Sequence, residues 1–280
     1  MIHELEPAEY SKLGPLLCAL DIHLAMRAVV EGGACAQAWV DDPRTPHTAL
    51  VRVGHRFFFT GDARNDSFND SVRQLFTETL CPQAIQAGAA MLIIYYAPDD
   101  WENAVGMLLC STSRIKRARE YYRLTELKHD WRARLAPDFT LQFVNAALLE
   151  NPQIKNLATL KEEMCSERAS VEDFLAKSFG VAAVCDNTLA GFCLSEYNCA
   201  DACEIGIATM APYQKRGVAT AMACTLIEHA RTRGVTQIGW HCYTSNVASA
   251  ATARKIGFEK VCDYPAVVAR TQPITVPCPF

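Results

Sequence analysis

Residues 203–220 read CEIGIATMAPYQKRGVAT and decide the fold, because they predict a strand that joins a helix through a glycine turn. Residues 203–210 alternate along the chain and carry β-branched side chains, which is typical of a strand. Beyond the turn, small and apolar residues recur at the spacing of one helix face, at Ala219, Met222, Ala223, Leu226, Ile227 and Ala230. Gly234 follows two arginines and predicts the end of this helix.

The turn itself has the features of a phosphate-binding loop. Gly217 lets a ligand approach the backbone closely, and Ala219 keeps the entrance of the helix small. The first amides of a helix have no internal partners and lie at the positive end of its dipole, so a pyrophosphate is favoured there. Lys215 and Arg216 add positive charge. An ordinary glycine turn without a ligand is the alternative.

The order of motifs around this loop resembles the GNAT superfamily of acyl-CoA N-acyltransferases. The loop, Gln214-x-x-Gly217-x-Ala219, matches the superfamily's coenzyme A pyrophosphate motif, Q/R-x-x-G-x-G/A. A strand is predicted at 236–242, after which Asn246 opens a second helix that ends in the K-x-G-F segment of residues 255–258.

Three shorter segments look most like the zwittermicin-resistance-type acetyltransferases of this superfamily. They are EIGIAT at 204–209, Trp240-x-Cys242 and Asn246-x-x-Ser249. The whole resemblance covers about residues 203–261.

The resemblance implies that acetyl-CoA is the co-substrate, without a metal, and that it lies between two strands that splay apart. The amides of Thr209 and Met210 would then pair with the pantetheine arm and polarise the thioester carbonyl. The cofactor-binding residues expected on this basis are Thr209, Met210, Gln214, Lys215, Arg216, Gly217, Val218, Ala219, Thr220, Asn246 and Ser249.

Acyl transfer to an amine also requires a base that takes a proton from the incoming ammonium. Glu204 is the only acid on the strand beside the loop, where the superfamily often has a glutamate, and it is the predicted base, acting directly or through a water molecule. His241 replaces the acid usually seen in the zwittermicin-type W-D-C triplet, and a neutral imidazole accepts a proton near neutral pH. Many members of the superfamily have a tyrosine that protonates the leaving thiolate, at the position that Ala253 occupies here. Tyr243 and Tyr264 lie close to the site in sequence and are the candidates to replace it.

The catalytic candidates are therefore Glu204, His241 and Tyr243. Each has a plainer alternative: a solvated carboxylate without a catalytic role for Glu204, and structural packing for His241 and Tyr243.

The composition excludes several classes of function. A net charge of −4 over 280 residues argues against nucleic acid as a partner. No window approaches the roughly 18 apolar residues of a membrane span, and the acidic start does not resemble a signal peptide. We therefore expect a cytoplasmic protein without a membrane partner. The 13 cysteines lack CxxC spacing, which favours reduced thiols over disulfides or a metal site.

The N-terminal half has its own α/β pattern. Its predicted elements are strands at 36–40, 48–53, 56–60, 90–96 and 114–124 and helices at 68–80 and 98–109. The charged strand at 114–124 is expected to lie at a solvent-exposed edge. This order is compatible with a second, degenerate copy of the same fold, and the half has no pyrophosphate motif. An unrelated α/β cap is the alternative.

The predicted fold class is thus α/β (α+β), a GNAT fold with a mixed central sheet flanked by helices, in tandem. Its expected domains are a degenerate GNAT-like domain at 1–125, a linker at 126–137 and a catalytic domain at 138–280, which includes a hairpin at 180–197.

The expected function is N-acetyl transfer from acetyl-CoA to a primary amine of a small molecule, by a monomer or homodimer. A non-catalytic acyl-CoA sensor or scaffold is the alternative. A nucleotide-binding Rossmann enzyme is disfavoured, because no GxGxxG follows a strand.

Overall fold

The computed structural model describes residues 2–109, 113–128 and 135–271. Contacts divide the chain into two compact units. The first unit contains the residues up to Ala118 together with those from Pro265 onward, and the second contains Arg119–Tyr264. Part of the predicted linker, 129–134, lies outside the described residues.

The two halves of the sequence have the same order of elements: a strand, helices, three strands, a helical segment, a strand, a helix and a strand. In the first half these are β1 (His3–Leu5), α1 (Gly14–Leu17), α2 (Leu24–Val30), β2 (Gln37–Val40), β3 (Thr48–Val53), β4 (Arg56–Gly61), α3 (Asp66–Leu75), α4 (Cys81–Gln86), β5 (Met91–Ala97), α5 (Trp101–Leu108) and β6 (Arg114–Leu124). A π-helical turn, Phe76–Leu80, joins α3 to α4.

The second half repeats this order. Its elements are β7 (Thr140–Phe143), α6 (Ala146–Leu149), α7 (Leu157–Met164), α8 (Val171–Lys177), β8 (Gly180–Cys185), β9 (Thr188–Cys199), β10 (Ala202–Thr209), α9 (Val218–Thr232), β11 (Gln237–Tyr243), α10 (Val247–Ile256) and β12 (Phe258–Arg270). The predicted hairpin is confirmed: its turn residues Asp186 and Asn187 have φ of 48° and 55°, as a two-residue turn with right-handed strand twist requires.

Each unit contains a mixed arrangement of strands with one parallel pair. The order in the first unit is β1-β2-β3-β4-β5-β12, with β4 and β5 parallel. The order in the second unit is β7-β8-β9-β10-β11-β6, with β10 and β11 parallel. A helical segment connects the members of each parallel pair, because parallel neighbours cannot be joined by a tight turn.

The last strand of each unit comes from the other half of the sequence. Residues 119–123 of β6 pair with β11, and residues 267–270 of β12 pair with β5. The prediction that β6 is solvent-exposed holds only for its start: residues 114–116 are exposed, whereas Tyr121 and Tyr122, in the part that pairs with β11, are buried. The contact-based units also differ from the predicted limits of 1–125 and 138–280 at these two strands.

Two apolar layers cover the strands of the second unit. One side of β8 packs with α9 and α10, and the other side packs with α6, α7 and α8. Val181 and Ala183 face the first layer, whereas Ala182 and Val184 face the second. Burial on both sides explains why β8 is a continuous apolar run rather than an alternating one.

Among the described residues, no helix is long and apolar enough to cross a membrane. The cysteines in the described part of the chain are free thiols, and six of them are buried. The same residues contain no group of three or more His, Cys, Asp or Glu side chains that could hold a metal ion.

Candidate active site

The parallel strands of the second unit are paired over only part of their length. β10 and β11 pair from Ala202–Gln237 to Ile205–Trp240. β10 then continues to Thr209, with its partners on β9. The strands therefore separate toward their carboxyl ends, where main-chain groups of β10 face a gap.

The N-terminus of α9 lies at the end of this gap. Gly217 precedes the helix with φ of 81°, a left-handed conformation that glycine adopts without strain, and it has no side chain to cap the helix. The amide of Ala221 donates to the carbonyl of Gly217 at 3.0 Å, which is the first bond of the helix ladder. The three preceding amides, at residues 218–220, therefore point out of the helix toward its positive dipole end.

A cavity of about 510 Å³ opens on this N-terminus. Its walls come from the end of β10, the loop, the first turn of α9 and one face of α10, and the residues that line it include Thr209, Gln214, Lys215, Gly217, Val218, Ala219, Thr220, Asn246, Ser249 and Lys255. Thr209 Oγ1 is buried and has no hydrogen-bond partner in the described part of the chain. An orphaned hydroxyl and uncapped amides around one cavity fit a polar, anionic ligand such as coenzyme A.

Two of the predicted loop residues hold the loop in place. Gln214 Nε2 donates to the carbonyl of Thr209 at 3.1 Å, which closes the turn. Arg216 donates to Asp138 Oδ2 at 2.6 Å and lies 4.6 Å above the ring of Phe139. The positive charge of Arg216 is therefore already paired, and Lys215 is the loop cation that lines the cavity.

The expectation for the amide of Met210 is wrong, because this amide donates to the carbonyl of Ala190 at 2.9 Å. Successive amides of an antiparallel strand point to opposite sides. The amide of Thr209 therefore points away from β9, toward the side of β11, and remains the candidate donor for the thioester carbonyl.

Asn246 and Ser249 form the entrance of α10. Asn246 Oδ1 accepts a hydrogen bond from the amide of Ser249 at 3.1 Å, as an N-cap does. Ser249 Oγ in turn accepts from Trp240 Nε1 at 3.0 Å. Both residues line the cavity, and these bonds also stabilise the start of α10 and its contact with β11.

Glu204 and His241 come together on the opposite face of the strands. Glu204 is only 7% exposed, so it is not a solvated carboxylate. Its Oε1 lies 3.3 Å from His241 Nε2. Because side chains alternate along a strand, Glu204 faces away from the cavity that Ile207 and Thr209 line. The pairing of β10 with β11 ends at Ile205, the residue after Glu204.

Tyr243 and Tyr264 have different surroundings. The Tyr243 ring lies under the guanidinium of Arg119 at 4.7 Å. Tyr264 Oη lies 2.7 Å from His241 Nδ1, so Tyr264 rather than Tyr243 is the tyrosine bonded to the candidate residues.

Sequence reasoning missed two further residues on this face. Tyr121 on β6 is the register partner of His241 on β11, and its ring stacks on the imidazole. The ring centroids are 4.6 Å apart and the ring planes are inclined by 17°. Glu196 stands directly opposite Glu204 on β9, which puts a second carboxylate beside the predicted base. The hairpin register could have identified Glu196, whereas nothing in the sequence indicated that β6 supplies Tyr121.

The cysteines near the site are held as thiols. Burial, followed by the charge of Glu204, raises the pKa of Cys203 to about 12. Burial, followed by the charge of Glu120, also raises the pKa of Cys242. Neither supplies a thiolate nucleophile near neutral pH.

The corresponding region of the first unit is closed. There β4 and β5 pair from Arg56–Ile93 to Thr60–Ala97, nearly the full length of β4. Asn65 caps α3 by accepting from the amide of Phe68 at 3.1 Å. Trp101 is fully buried and donates through Nε1 to the carbonyl of Gly61. The N-terminus of α3 is thus capped by the side chain of Asn65, whereas the N-terminus of α9 has no side-chain cap.

A family model described as GNAT acetyltransferase matches residues 21–267. An uncharacterized N-acetyltransferase of Bacillus subtilis, YdfB, is 22% identical over 270 residues, which covers 94% of this chain and 97% of that protein.

Two solved structures have a similar fold. A GCN5-related N-acetyltransferase-like protein of Streptococcus suis has a TM-score of 0.71 at 19% identity, covering 95% of this chain and 100% of that chain. A tandem GNAT protein from the clavulanic acid biosynthesis pathway has a TM-score of 0.56 at 12% identity, covering 98% of this chain and 99% of that one. The mixed GNAT fold is therefore confirmed, and the tandem structure fits the repeated element order described above.

Proposed function

Because the chain belongs to the GNAT acetyltransferase family, we propose that it transfers an acetyl group from acetyl-CoA to a primary amine of a small molecule by direct attack. The observation that carries this proposal is the cavity of about 510 Å³ at the uncapped entrance of α9. The cavity lies where β10 and β11 separate, so a thioester held in it faces the gap that begins beyond Ile205, the residue after Glu204.

Binding of coenzyme A is assigned to the loop and the first turn of α9. The amides of residues 218–220 would hold the pyrophosphate with the charge of Lys215 beside them. The amide of Thr209 would donate to the carbonyl oxygen as negative charge develops there. When bound, acetyl-CoA supplies the activated acetyl group.

Deprotonation of the acceptor is assigned to Glu204. Its carboxylate takes one proton from the ammonium, after which the neutral amine attacks the carbonyl carbon and the carbon–sulfur bond breaks. The amide nitrogen loses its second proton to the departing thiolate. No dedicated acid is required, because a solvated thiolate is a fair leaving group.

The resemblance to zwittermicin-resistance-type enzymes favours a small molecule over a protein tail as the acceptor, such as an amino sugar, a polyamine or an antibiotic. The proposal includes a cytoplasmic location and a monomer or homodimer, without nucleic acid or membrane as a partner.

A thermal-shift series with coenzyme A, acetyl-CoA and longer acyl-CoAs, followed by an amine library, tests the proposal. We expect acetyl-CoA to raise the melting temperature by mass action and at least one amine to release free thiol. Glu204→Gln should lower that release by about 100-fold or more, and unchanged turnover at every pH would remove Glu204 from the mechanism.

One observation favours a non-catalytic acyl-CoA sensor. Ala253 occupies the position at which many members of the superfamily have a tyrosine that serves as general acid, and it is fully buried. Tight binding of acetyl-CoA without thiol release for any amine supports this second function, whereas amine-dependent release excludes it.

A further inference from the structure

We propose that Lys255 binds the 3′-phosphate on the adenosine of coenzyme A and makes the protein select this carrier over forms that lack that phosphate. The inference rests on the proposed function, because it concerns the cavity assigned there to coenzyme A. The carrier has two separate anionic groups, the pyrophosphate and the 3′-phosphate. The N-terminus of α9 and Lys215 are assigned to the first group, and Lys255 binds the second.

One long wall of the cavity is formed by α10. The residues of α10 that line it lie on one face at helical spacing: Ala248, Ser249, Ala251, Thr252 and Lys255. The Ser249 end is fixed to β11, because Trp240 Nε1 donates to Ser249 Oγ at 3.0 Å. Lys255 comes six positions later in the chain, which is about 9 Å along the helix axis. The wall therefore extends from β11 to a lysine, and the residues between them are small and uncharged.

The charged side chains on the cavity wall are positive. Among the described residues that line it, they are Lys215 on the loop and Lys255 on α10, and none of these lining residues is an aspartate or a glutamate. Neither lysine forms an ion pair with another described residue. An ammonium group in a cavity lined without carboxylates attracts an anion, and lysine is a common ligand of phosphate. Lys255 is therefore available to an anionic ligand in this cavity.

The neighbouring arginine distinguishes this role from a purely structural one. Arg254 donates from Nη2 to Tyr122 Oη at 2.7 Å and lies 3.8 Å from Glu120 Oε1. Its charge is thus held by groups of β6, whereas Lys255 lines the cavity. Both residues complement the negative end of the α10 dipole. Stabilisation of the helix therefore accounts for a basic last turn, but it does not account for a cation that lines the cavity without an acidic partner.

The chemistry of the carrier favours the 3′-phosphate as the group that Lys255 binds. The ribose separates this phosphate from the pyrophosphate, so the two groups need separate cations. A phosphate monoester carries about −1.5 to −2 charges near neutral pH, and its attraction to an ammonium group is correspondingly strong. The cavity provides two positive regions, one at the loop and the N-terminus of α9 and one at Lys255. The two regions match the two anionic groups of coenzyme A.

Dephospho-coenzyme A, which lacks only the 3′-phosphate, tests the inference without any turnover. At low salt we expect titration calorimetry of the full-length protein to give a dissociation constant about tenfold higher for dephospho-coenzyme A than for coenzyme A. In Lys255→Gln this ratio should fall to about twofold, because only the affinity for coenzyme A decreases. Lys255→Arg keeps the charge and should keep most of the ratio, and added salt should reduce the ratio in the wild type.

Lys161→Gln is the matched control. Lys161 is also an exposed residue in the last turn of its helix, α7, and it does not line the cavity, so its loss should leave the ratio unchanged. A ratio near one in the wild type overturns the inference, and so does a ratio in Lys255→Gln equal to that of the wild type. Either result leaves the proposed acetyl transfer in place, whereas a failure of both carriers to bind overturns the proposed function together with the inference.

Discussion

The substitution Ala219→Asp should raise the stability of the free protein and lower its affinity for a pyrophosphate at the N-terminus of α9. Ala219 is the second residue of α9 and lines the cavity. An aspartate there complements the helix dipole and stabilises the free protein by about 0.3–1 kcal/mol. The same charge repels a pyrophosphate bound at the helix entrance, so stability and affinity change in opposite directions.

The loss of affinity follows from Coulomb's law. A carboxylate about 5 Å from two phosphate charges in water costs about 1.7 kcal/mol, which corresponds to about a 15-fold rise in the dissociation constant. The effect is set by charge, so it should shrink when salt shortens the screening length. Ala219→Asn has nearly the same size without the charge and is the matched control.

Isothermal titration with coenzyme A and urea unfolding of the free protein measure the two effects. We expect the Asp variant to bind at least tenfold more weakly than the Asn variant at low salt and to unfold at higher urea. Equal affinities for the two variants would refute the assignment of the pyrophosphate to the entrance of α9.

Three further predictions concern single residues. Lys215→Ala should weaken coenzyme A binding about fivefold, by the loss of one nearby charge, whereas Arg216→Ala should weaken it less than about twofold because that charge is already paired; equal effects in titration calorimetry contradict this. Ser249→Ala leaves the Trp240 indole without its acceptor and should cost about 1–2 kcal/mol in urea unfolding; an unfolding curve identical to that of the wild type contradicts this. Burial lowers the pKa of His55 from 6.5 to about 4, and since the unfolded chain takes up this proton first, stability should fall by about 2 kcal/mol between pH 7 and pH 4.5. His55→Gln should lose that part of the pH dependence, and an identical slope in both proteins would contradict the assignment.

Local patterns predicted the elements around the site because short-range chemistry fixes them. Gly217, the helix spacing that follows it and the Asp186-Asn187 turn are each decided within a few residues. The same holds for Asn246, which caps α10 by accepting a bond from a residue three positions away.

Long-range pairing accounts for what the sequence did not reveal. The charge of β6 indicated an exposed edge, yet its residues 119–123 pair with β11 and bring Tyr121 to His241. The sequence predicts Arg216 as a phosphate ligand, but in the structure Arg216 binds Asp138, which is 78 residues away in the chain. Likewise, only the register with β9 shows that the amide of Met210 is taken by Ala190.

The position of the pyrophosphate in a crystal structure of the full chain with coenzyme A tests the central claim most directly. We expect its oxygens within hydrogen-bonding distance of the amides of residues 218–220, with the thiol end in the gap beside Thr209. A coenzyme A bound elsewhere, with these amides covered by the chain's own side chains, would contradict the account.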